Sequence, residues 1–580
     1  MFFYLLLSFG IIIRLFLIPL PGFTADMAFW KGWGLAVADK GIMWLVQNTN
    51  YNYPPGFTYI LWLINKIYAL FKSPYDVADY WSQNNLAYLF LFKLLIFASD
   101  ILVVFLIIKI AKKLKSKWGK LLAIVYFLNP ATLFDGVWWG QVDQFGLALF
   151  LSAFYFLLSE EMILASVFFT LSCLMKFQNI IFIPLFFLFI YKKYPLSKFI
   201  DSLKASFVIF LIVCLPFFFS RDIMSLIHLL TMNSDYFPLY SLNAFNIWWV
   251  LAGLKGMMVS DKKLLIGIMS AKDISFLLFV FGYFIATVTL FFSKKENLFY
   301  RFLLSCSMAI FSFFHLMTQS HDRYLFHLVG FLPLLIMFVR NKKKLSIFYL
   351  LFSIFFFLNI YLSMWFNYPE QLIWPFGVDI TSIITLIISL AQIGLFLYFI
   401  FIYILPEIKQ QLKIVGVAGL ILFTLVIFKN KDYLLRKEIS LTTIKPIDFK
   451  QDYLYPVINK NLNSQGNIFA FGRLSSNYFF YNKGIASHAS STINYDLGNR
   501  FSQFKTDYGL DTEAVATAKA IFVIEGDEKE IFRSKEKGRF DDPSTITVNI
   551  KGVNKLTLKV EKVGSIFGAH ADWLEPILMR

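Results

Sequence analysis

The chain has 580 residues, 58% of them hydrophobic and 19% aromatic, with a formal net charge of +17. That much apolar surface excludes a single water-soluble globule. The positive balance does not point to nucleic acid, because the cations cluster in short segments between apolar blocks, where membrane orientation signals belong.

Residues 2–20 are the first apolar block. No basic stretch precedes it, Arg14 interrupts it and no small-x-small site follows, so it reads as a retained helix rather than a signal peptide. Further blocks lie near 86–110, 119–134, 141–158, 162–176, 178–192, 203–219, 274–292, 299–316, 324–339, 346–364, 380–404 and 411–428. Each approaches the length a helix needs to cross about 30 Å of hydrocarbon while satisfying its own backbone. Thirteen spans are thus predicted over the first 429 residues, and 241–256, short and carrying Trp248 and Trp249, reads as an interfacial or re-entrant segment. Cys173, Cys214 and Cys306 all fall inside apolar blocks, with no disulfide or zinc spacing.

With the N-terminus inside, the connections expected in the cytoplasm hold Lys112, Lys113, Lys115 and Lys117; Glu160 and Glu161; Lys192, Lys193 and Lys198; Lys294, Lys295 and Arg301; Arg340 and Lys342–Lys344; and Glu407, Lys409 and Lys413. Five of these six are rich in lysine or arginine, which favours this orientation. Thirteen spans then put the C-terminal region outside.

The opposite connections collect the chemistry. The first holds Asp26, Trp30, Trp33 and Tyr51–Gly56; the second Asn129, Pro130, Asp135, Gln141, Asp143 and Gln144; the third Lys176 and Gln178; the fourth Arg221, Asp222 and His228; the fifth His321–Tyr324. Cations suit a phosphate, aromatic faces suit a sugar and a lipid, and a carboxylate can accept a hydroxyl proton. Each piece also has a structural reading. Asp26 and Asp143 are placed to cap helices, Tyr53-Pro-Pro-Gly to turn the chain, Lys176 to snorkel, and His321–Arg323 to form an interfacial salt bridge. Arg14, Lys93 and Asp100 lie within spans, where ionisable groups are costly and are functional or paired. Lys93 and Asp100, seven residues apart, share a helix face.

Taken in order, Asp26 with Trp30 and Trp33, Tyr51–Gly56, Asn129–Asp143, Asn243–Trp248 and His321–Tyr324 carry a family likeness over residues 8–330. They resemble the GT-C superfamily of polytopic glycosyltransferases, relatives of the GPI mannosyltransferases and ALG glucosyltransferases. Asp322 stands where that pattern usually has Glu, keeping the charge and shortening the reach. The resemblance implies a metal-independent, inverting displacement at the sugar carbon of a polyprenyl-phosphate donor, with no cofactor for transfer. It implies Asp26 as general base, with Asp135 and Asp143 as the competing bases. Donor phosphate would be held by His321, Arg323, Lys176, Arg221 and Arg14. Trp30, Trp33, Tyr53, Gln141, Gln178, Asp322 and Tyr324 would contact substrate. There is no Walker A loop, Rossmann fingerprint or His-Glu-x-x-His.

After a linker at 430–464, residues 465–580 read as strands. Thr545–Ile550 and Leu556–Val560 alternate with period two around a turn at Gly552, and Ala520–Ile524 is a short apolar run. Such strands predict a β-sandwich. Tyr481–Ser490, Ile493–Leu497, Phe504, Gly509–Asp511, Phe522, Val523 and His570–Trp573 resemble the NPCBM carbohydrate-binding module. That resemblance implies sugar contacts at His488, Asp572 and Trp573, beside a site that often contains calcium; packing at the sandwich edge is the alternative.

The reading is therefore a multi-pass membrane glycosyltransferase carrying an extracytoplasmic sugar-binding module. Its partners would be a polyprenyl-phosphate sugar, membrane lipid and a surface glycan, glycolipid or protein acceptor. A lipid-linked-sugar flippase is the first alternative, although no inverted repeat is found; a non-catalytic, membrane-anchored carbohydrate-binding protein is the second.

Overall fold

The computed structural model describes residues 1–231, 236–464 and 472–580, which divide into two compact units. One comprises 1–237, 241–257 and 278–415; the other comprises 238–240, 258–277 and 416–580.

The first unit is helical. Helices Leu86–Lys113, Ala271–Phe291, Lys295–Leu316 and Lys342–Asn367 and the broken segment Val378–Lys429 are long and apolar enough to cross a membrane. Gly119–Phe127 with Pro130–Trp139 makes a sixth if that pair, bent by 50°, is one span. The described residues thus give five or six such helices where thirteen spans were expected. The remaining apolar blocks do form helices, among them Phe2–Leu17, Asp143–Leu158, Met162–Met175 and His327–Phe338, but these run only 10–17 residues. Polar breaks shorten them: Lys176 stops one helix and a 3-10 turn, Phe177–Phe182, starts the next. This is the unit of an integral membrane protein.

The first long connection is not a loop. It holds helices Thr24–Asn48 and Pro55–Tyr68, the second opening on a proline whose missing N–H is harmless at that position. Met27, Trp30, Trp33, Gly34 and Val37 are buried along the first, a 3.6-residue stripe. The tryptophan segment 241–256 forms only a one-turn helix, Ile247–Leu251, capped by the Asn246 side chain.

Arg14, Lys93 and Asp100 are all fully buried. Lys93 and Asp100 do share a buried face but do not pair. Arg14 Nε donates to Asp100 Oδ2 at 2.9 Å, Tyr126 donates to the other carboxylate oxygen at 2.8 Å, and the Arg14 guanidinium lies over the Phe127 ring.

The second unit is a sandwich of two six-stranded antiparallel sheets. One runs Ser544–Asn549, Gln503–Leu510, His570–Met579, Gly484–His488, Val457–Ile458, with Glu438–Ser440 also on His570–Met579. The other runs Lys529–Arg533, Lys519–Gly526, Lys555–Lys562, Ser491–Asp496, Asp448–Gln451, with Lys537–Gly538 on Lys519–Gly526. Alternate residues such as Ile493, Tyr495, Phe504, Phe522, Leu558 and Trp573 fill the space between. The strands before and after Gly552 do not form a hairpin, because each belongs to a different sheet. Pairing begins at Glu438, well inside the stretch read as a linker.

Residues 258–277, an excursion between helical segments, belong to this unit. Their two-strand hairpin, Leu264–Ile266 with Met269–Ser270, puts Leu264 into the sandwich core. Asp496 accepts from Leu264 N at 2.8 Å, Arg500 donates to the carbonyls of Leu264 (2.9 Å) and Gly267, and Asn430 accepts from Ile268 N at 2.8 Å. Gly267 has φ +56, and a Cβ there would lie 2.0 Å from Asn430 Oδ1, so a side chain here would strain the backbone and displace Asn430.

Candidate active site

Asp26 sits in the first turn of Thr24–Asn48. The chain reaches it through Gly22, at φ +72, where a Cβ would come within 2.5 Å of the Trp139 carbonyl. That close approach presses residues 20–23 against the π-helical turn Phe134–Trp139. Phe23 N donates to Trp139 O at 3.1 Å and the two rings stack at 4.9 Å. Lys93 fastens the same two segments, its ammonium donating to Leu20 O at 2.6 Å and Trp138 O at 2.8 Å. One Asp26 carboxylate oxygen then accepts from Trp139 Nε1 at 3.0 Å and from Gln141 Nε2.

Gln141 carries the network onward. Its Oε1 accepts from Lys176 Nζ at 3.4 Å, and Lys176 pairs with Asp143 at 3.1 Å. Gln178 donates to the other Asp143 oxygen at 2.6 Å. Arg323 Nε lies 3.9 Å from Asp143, and its Nη1 lies 3.4 Å from Asp322, which also accepts from Ser363. Asp143 occupies the first turn of its helix, where an acid meets the positive end of the dipole. Lys176, extended at φ −145 and ψ 124, ends the next helix and turns toward it. The ammonium also stands 5.4 Å from the Tyr53 ring centre, and the Arg323 guanidinium 5.9 Å from that of Trp139.

Charge is tuned in the turn 317–326. Burial, only partly offset by Arg323 and the Ser363 hydrogen bond, lifts Asp322 to about 6. Burial and then the Arg323 and Lys176 cations hold His321 far below the ordinary histidine range. His321 is therefore a neutral imidazole at pH 7, able to offer an N–H but not the positive charge expected of it. Burial works against the Arg323 charge, but Asp322 foremost outweighs it and keeps the guanidinium firmly protonated. Tyr324 packs its ring 5.1 Å from His321.

The structure thus joins Asp26, Gln141, Asp143, Lys176, Gln178, Asp322 and Arg323 from separate stretches of chain. Asp135 is buried in the π turn, within electrostatic reach of Asp143, Lys176 and Arg323, and neither oxygen has a hydrogen-bond partner among the described residues. Trp30 and Trp33 are buried behind Tyr53, edge-on at 5.0 Å for Trp30, so they support Tyr53 rather than face the network. Arg14 is committed to Asp100 and does not belong to the cluster, because a fully buried cation already paired at 2.9 Å has no charge to spare. Arg221 is exposed in a tight turn at φ 55 and makes no contact with the cluster among the described residues. Three members were not foreseen: Trp139; Ser363, from the distant helix Lys342–Asn367; and His327, whose Nδ1 is 3.4 Å from Gln178 Nε2.

In the sandwich, His488 is buried with its ring 5.5 Å from His570, which pairs with Glu513 at 3.1 Å. Asp572 and Trp573 are fully buried. Their strand runs through the middle of its sheet, and Trp573 packs edge-on against Phe522 at 5.1 Å. Both are packing residues, not the sugar contacts expected. Burial and the neighbouring Asp511 push the Asp572 carboxyl far above its ordinary range, and burial lifts Asp511 as well. Among the described residues no group of three or more His, Cys, Asp or Glu could hold a metal ion. Calcium takes roughly six to eight oxygens, backbone carbonyls and waters among them; Asp511 and Asp572 are the paired carboxylates here.

Residues 437–579 match the NPCBM/NEW2 domain family, and the second unit carries this carbohydrate-binding module. Over 94 residues the chain is 33% identical to a putative endo-alpha-N-acetylgalactosaminidase of Renibacterium salmoninarum, covering 16% of this chain and 6% of that protein. The chain therefore spans only a small fraction of the length of that curated relative. The CBM51 module of Clostridium perfringens GH95, solved with methyl-galactose, is 24% identical and covers 24% of this chain and 99% of its own, with a TM-score of 0.22. The arabinosyltransferase EmbB of Mycobacterium smegmatis aligns over 96% of this chain and 64% of its own at 11% identity, with a TM-score of 0.25.

Proposed function

We propose that the helical unit is a GT-C-type glycosyltransferase that moves a sugar from a polyprenyl-phosphate carrier to a hydroxyl acceptor. The supporting observation is the continuous network from Asp26 through Gln141 and Lys176 to Asp143 and Arg323. It sets a partly exposed carboxylate near a buried lysine and a half-buried arginine, which suits a base and a leaving phosphate that act together. Asp26 accepts the acceptor hydroxyl proton as that oxygen bonds to the sugar carbon. The carbon–oxygen bond to phosphate breaks with inversion, and the electron pair stays on the phosphate. Lys176 and Arg323 stabilise that growing charge, with an N–H from His321. Asp143 and Asp322 balance the two cations before substrate arrives.

The lysine-rich connections support an outward-facing site and module. A cysteine at Ser544 should then react with impermeant maleimide in intact cells, and one at Lys343 should not. The decisive experiment is Asp26→Asn in purified, reconstituted protein, with surface glycans of cells with and without the protein supplying the substrate identity. Asp26→Asn keeps the size and loses the proton acceptor, so turnover should fall about 10²–10⁴-fold with donor binding retained. Wild-type turnover in Asp26→Asn with loss in Asp143→Asn moves the base to Asp143. A protein that flips the lipid or only binds glycan transfers no sugar in either form.

A further inference from the structure

Arg539 is the one site in the sandwich where a buried cation stands without an anion among the described residues. Only 6% of its surface is exposed, its Nη1 is buried without a hydrogen-bond partner, and it makes no ion pair among the described residues. The two acids that follow it are committed elsewhere: Asp541 accepts from Gly538 N at 2.7 Å and Asp542 from Asn477 Nδ2 at 2.8 Å. Leaving a buried charge unpaired is expensive unless a ligand completes it.

The guanidinium is walled by two rings, Tyr478 at 5.3 Å and Phe540 at 5.4 Å. These rings are 67% and 66% exposed, so their outer faces meet solvent. Phe479 and Phe480 beside them are exposed as well. Tyr478 stands at the tip of the hairpin Leu474–Ser476 with Phe479–Tyr481, held there by its own N–H to Thr512 Oγ1 at 3.1 Å. Two solvent-facing aromatics flank the unpaired fork, with two more exposed rings next to Tyr478 in the chain, which makes a costly apolar surface.

We infer that Arg539, Tyr478 and Phe540 form a binding subsite for an anionic pyranose. The fork would take the carboxylate or sulfate in two parallel hydrogen bonds, and the C–H face of the sugar ring would lie on an aromatic wall. This inference stands on the module alone and does not depend on the transfer chemistry.

The test is calorimetric titration of the full-length protein in detergent micelles at low salt. The probes are an oligogalacturonate, the same oligomer with its carboxyls methyl-esterified, a sulfated galactose oligomer, and vesicles containing anionic lipid. At least one charged oligomer should bind, with the methyl ester at least tenfold weaker. Arg539→Met should lose at least tenfold and Arg539→Lys less, because lysine keeps the charge and loses the fork. Tyr478→Ala and Phe540→Ala, exposed positions that leave the fold intact, should each lose severalfold. Equal affinity for the esterified and free oligomers, wild-type affinity in Arg539→Met or in both aromatic variants, binding of no oligomer, or binding of vesicles alone would each overturn it.

Discussion

Arg14 and Lys176 in the helical unit each meet a carboxylate at about 3 Å, on residues more than 30 positions away in sequence. In the sandwich, Arg539 meets no acid among the described residues, while Asp511 and Asp572 press two buried carboxyls on each other. In the helical unit the Arg14 and Lys176 charges are compensated by carboxylates that the fold brings in from elsewhere in the chain, and Lys93 by two backbone carbonyls. The sandwich leaves the Arg539 charge for something else to complete. Groups already paired read as framework or preorganised chemistry; groups left open read as places where a ligand or a proton enters.

The sharpest way to break that contrast is at the Arg14–Asp100 pair. Arg14→Met or Asp100→Asn strands one buried partner and should destabilise the helical unit by about 3–5 kcal/mol, measured by thermal unfolding in detergent. Replacing both with apolar residues should restore most of the loss. A single variant that melts like wild type would mean the pair is wet, and the contrast with the sandwich would fail.

Next is the pH response of the network. Asp322, at about 6, is ionised at pH 7 and gains a proton as pH falls through that value. Arg323 then loses its nearest counterion, so turnover should fall by about tenfold per pH unit below 6. Asp322→Asn should be slow at all pH values but without this limb.

This part of the site was legible in the sequence because His321–Tyr324, Gln141 with Asp143, and Asp26 are polar words in apolar text. Ser363 was not, since one serine in an apolar span carries no signal until the fold sets it beside Asp322. The helix Thr24–Asn48 hid for a different reason. Its stripe of Met27, Trp30, Trp33 and Val37 has helical spacing, but Asp26, Lys31 and Gly41 dilute the apolar run that marks a span. Likewise, alternation identified the strands around Gly552, but no local pattern says that the chain changes sheets between them.

A smaller effect is expected where the hairpin of 258–277 meets the module. Arg500→Ala removes charged hydrogen bonds to three backbone carbonyls, those of Leu264, Leu265 and Gly267, and should cost about 1.5–3 kcal/mol in the second transition of the melt. Asp496→Ala should cost a similar amount, and the double variant less than the sum, because both hold the same hairpin. No change in either would mean the hairpin is anchored by Leu264 alone.

The smallest effect tests the open end of the comparison. Asp572 ordinarily titrates near 3.8, and in the folded module burial and Asp511 raise it far above that. A raised folded-state value means the carboxyl's contribution is fully present below 3.8 and is lost as pH rises through the folded value. The module should therefore melt higher in acid than at neutral pH. Asp572→Asn supplies a permanent neutral donor to Asp511, so it should remove this dependence and stabilise the module at pH 7 by about 1 kcal/mol, or about 2–4 °C. Calcium offers an independent check. A bound cation would favour ionised carboxylates, so millimolar calcium would raise the wild-type melting temperature at pH 7 and leave Asp572→Asn unchanged. A clear shift would show that the pair waits for a metal, and no shift that it waits for a proton.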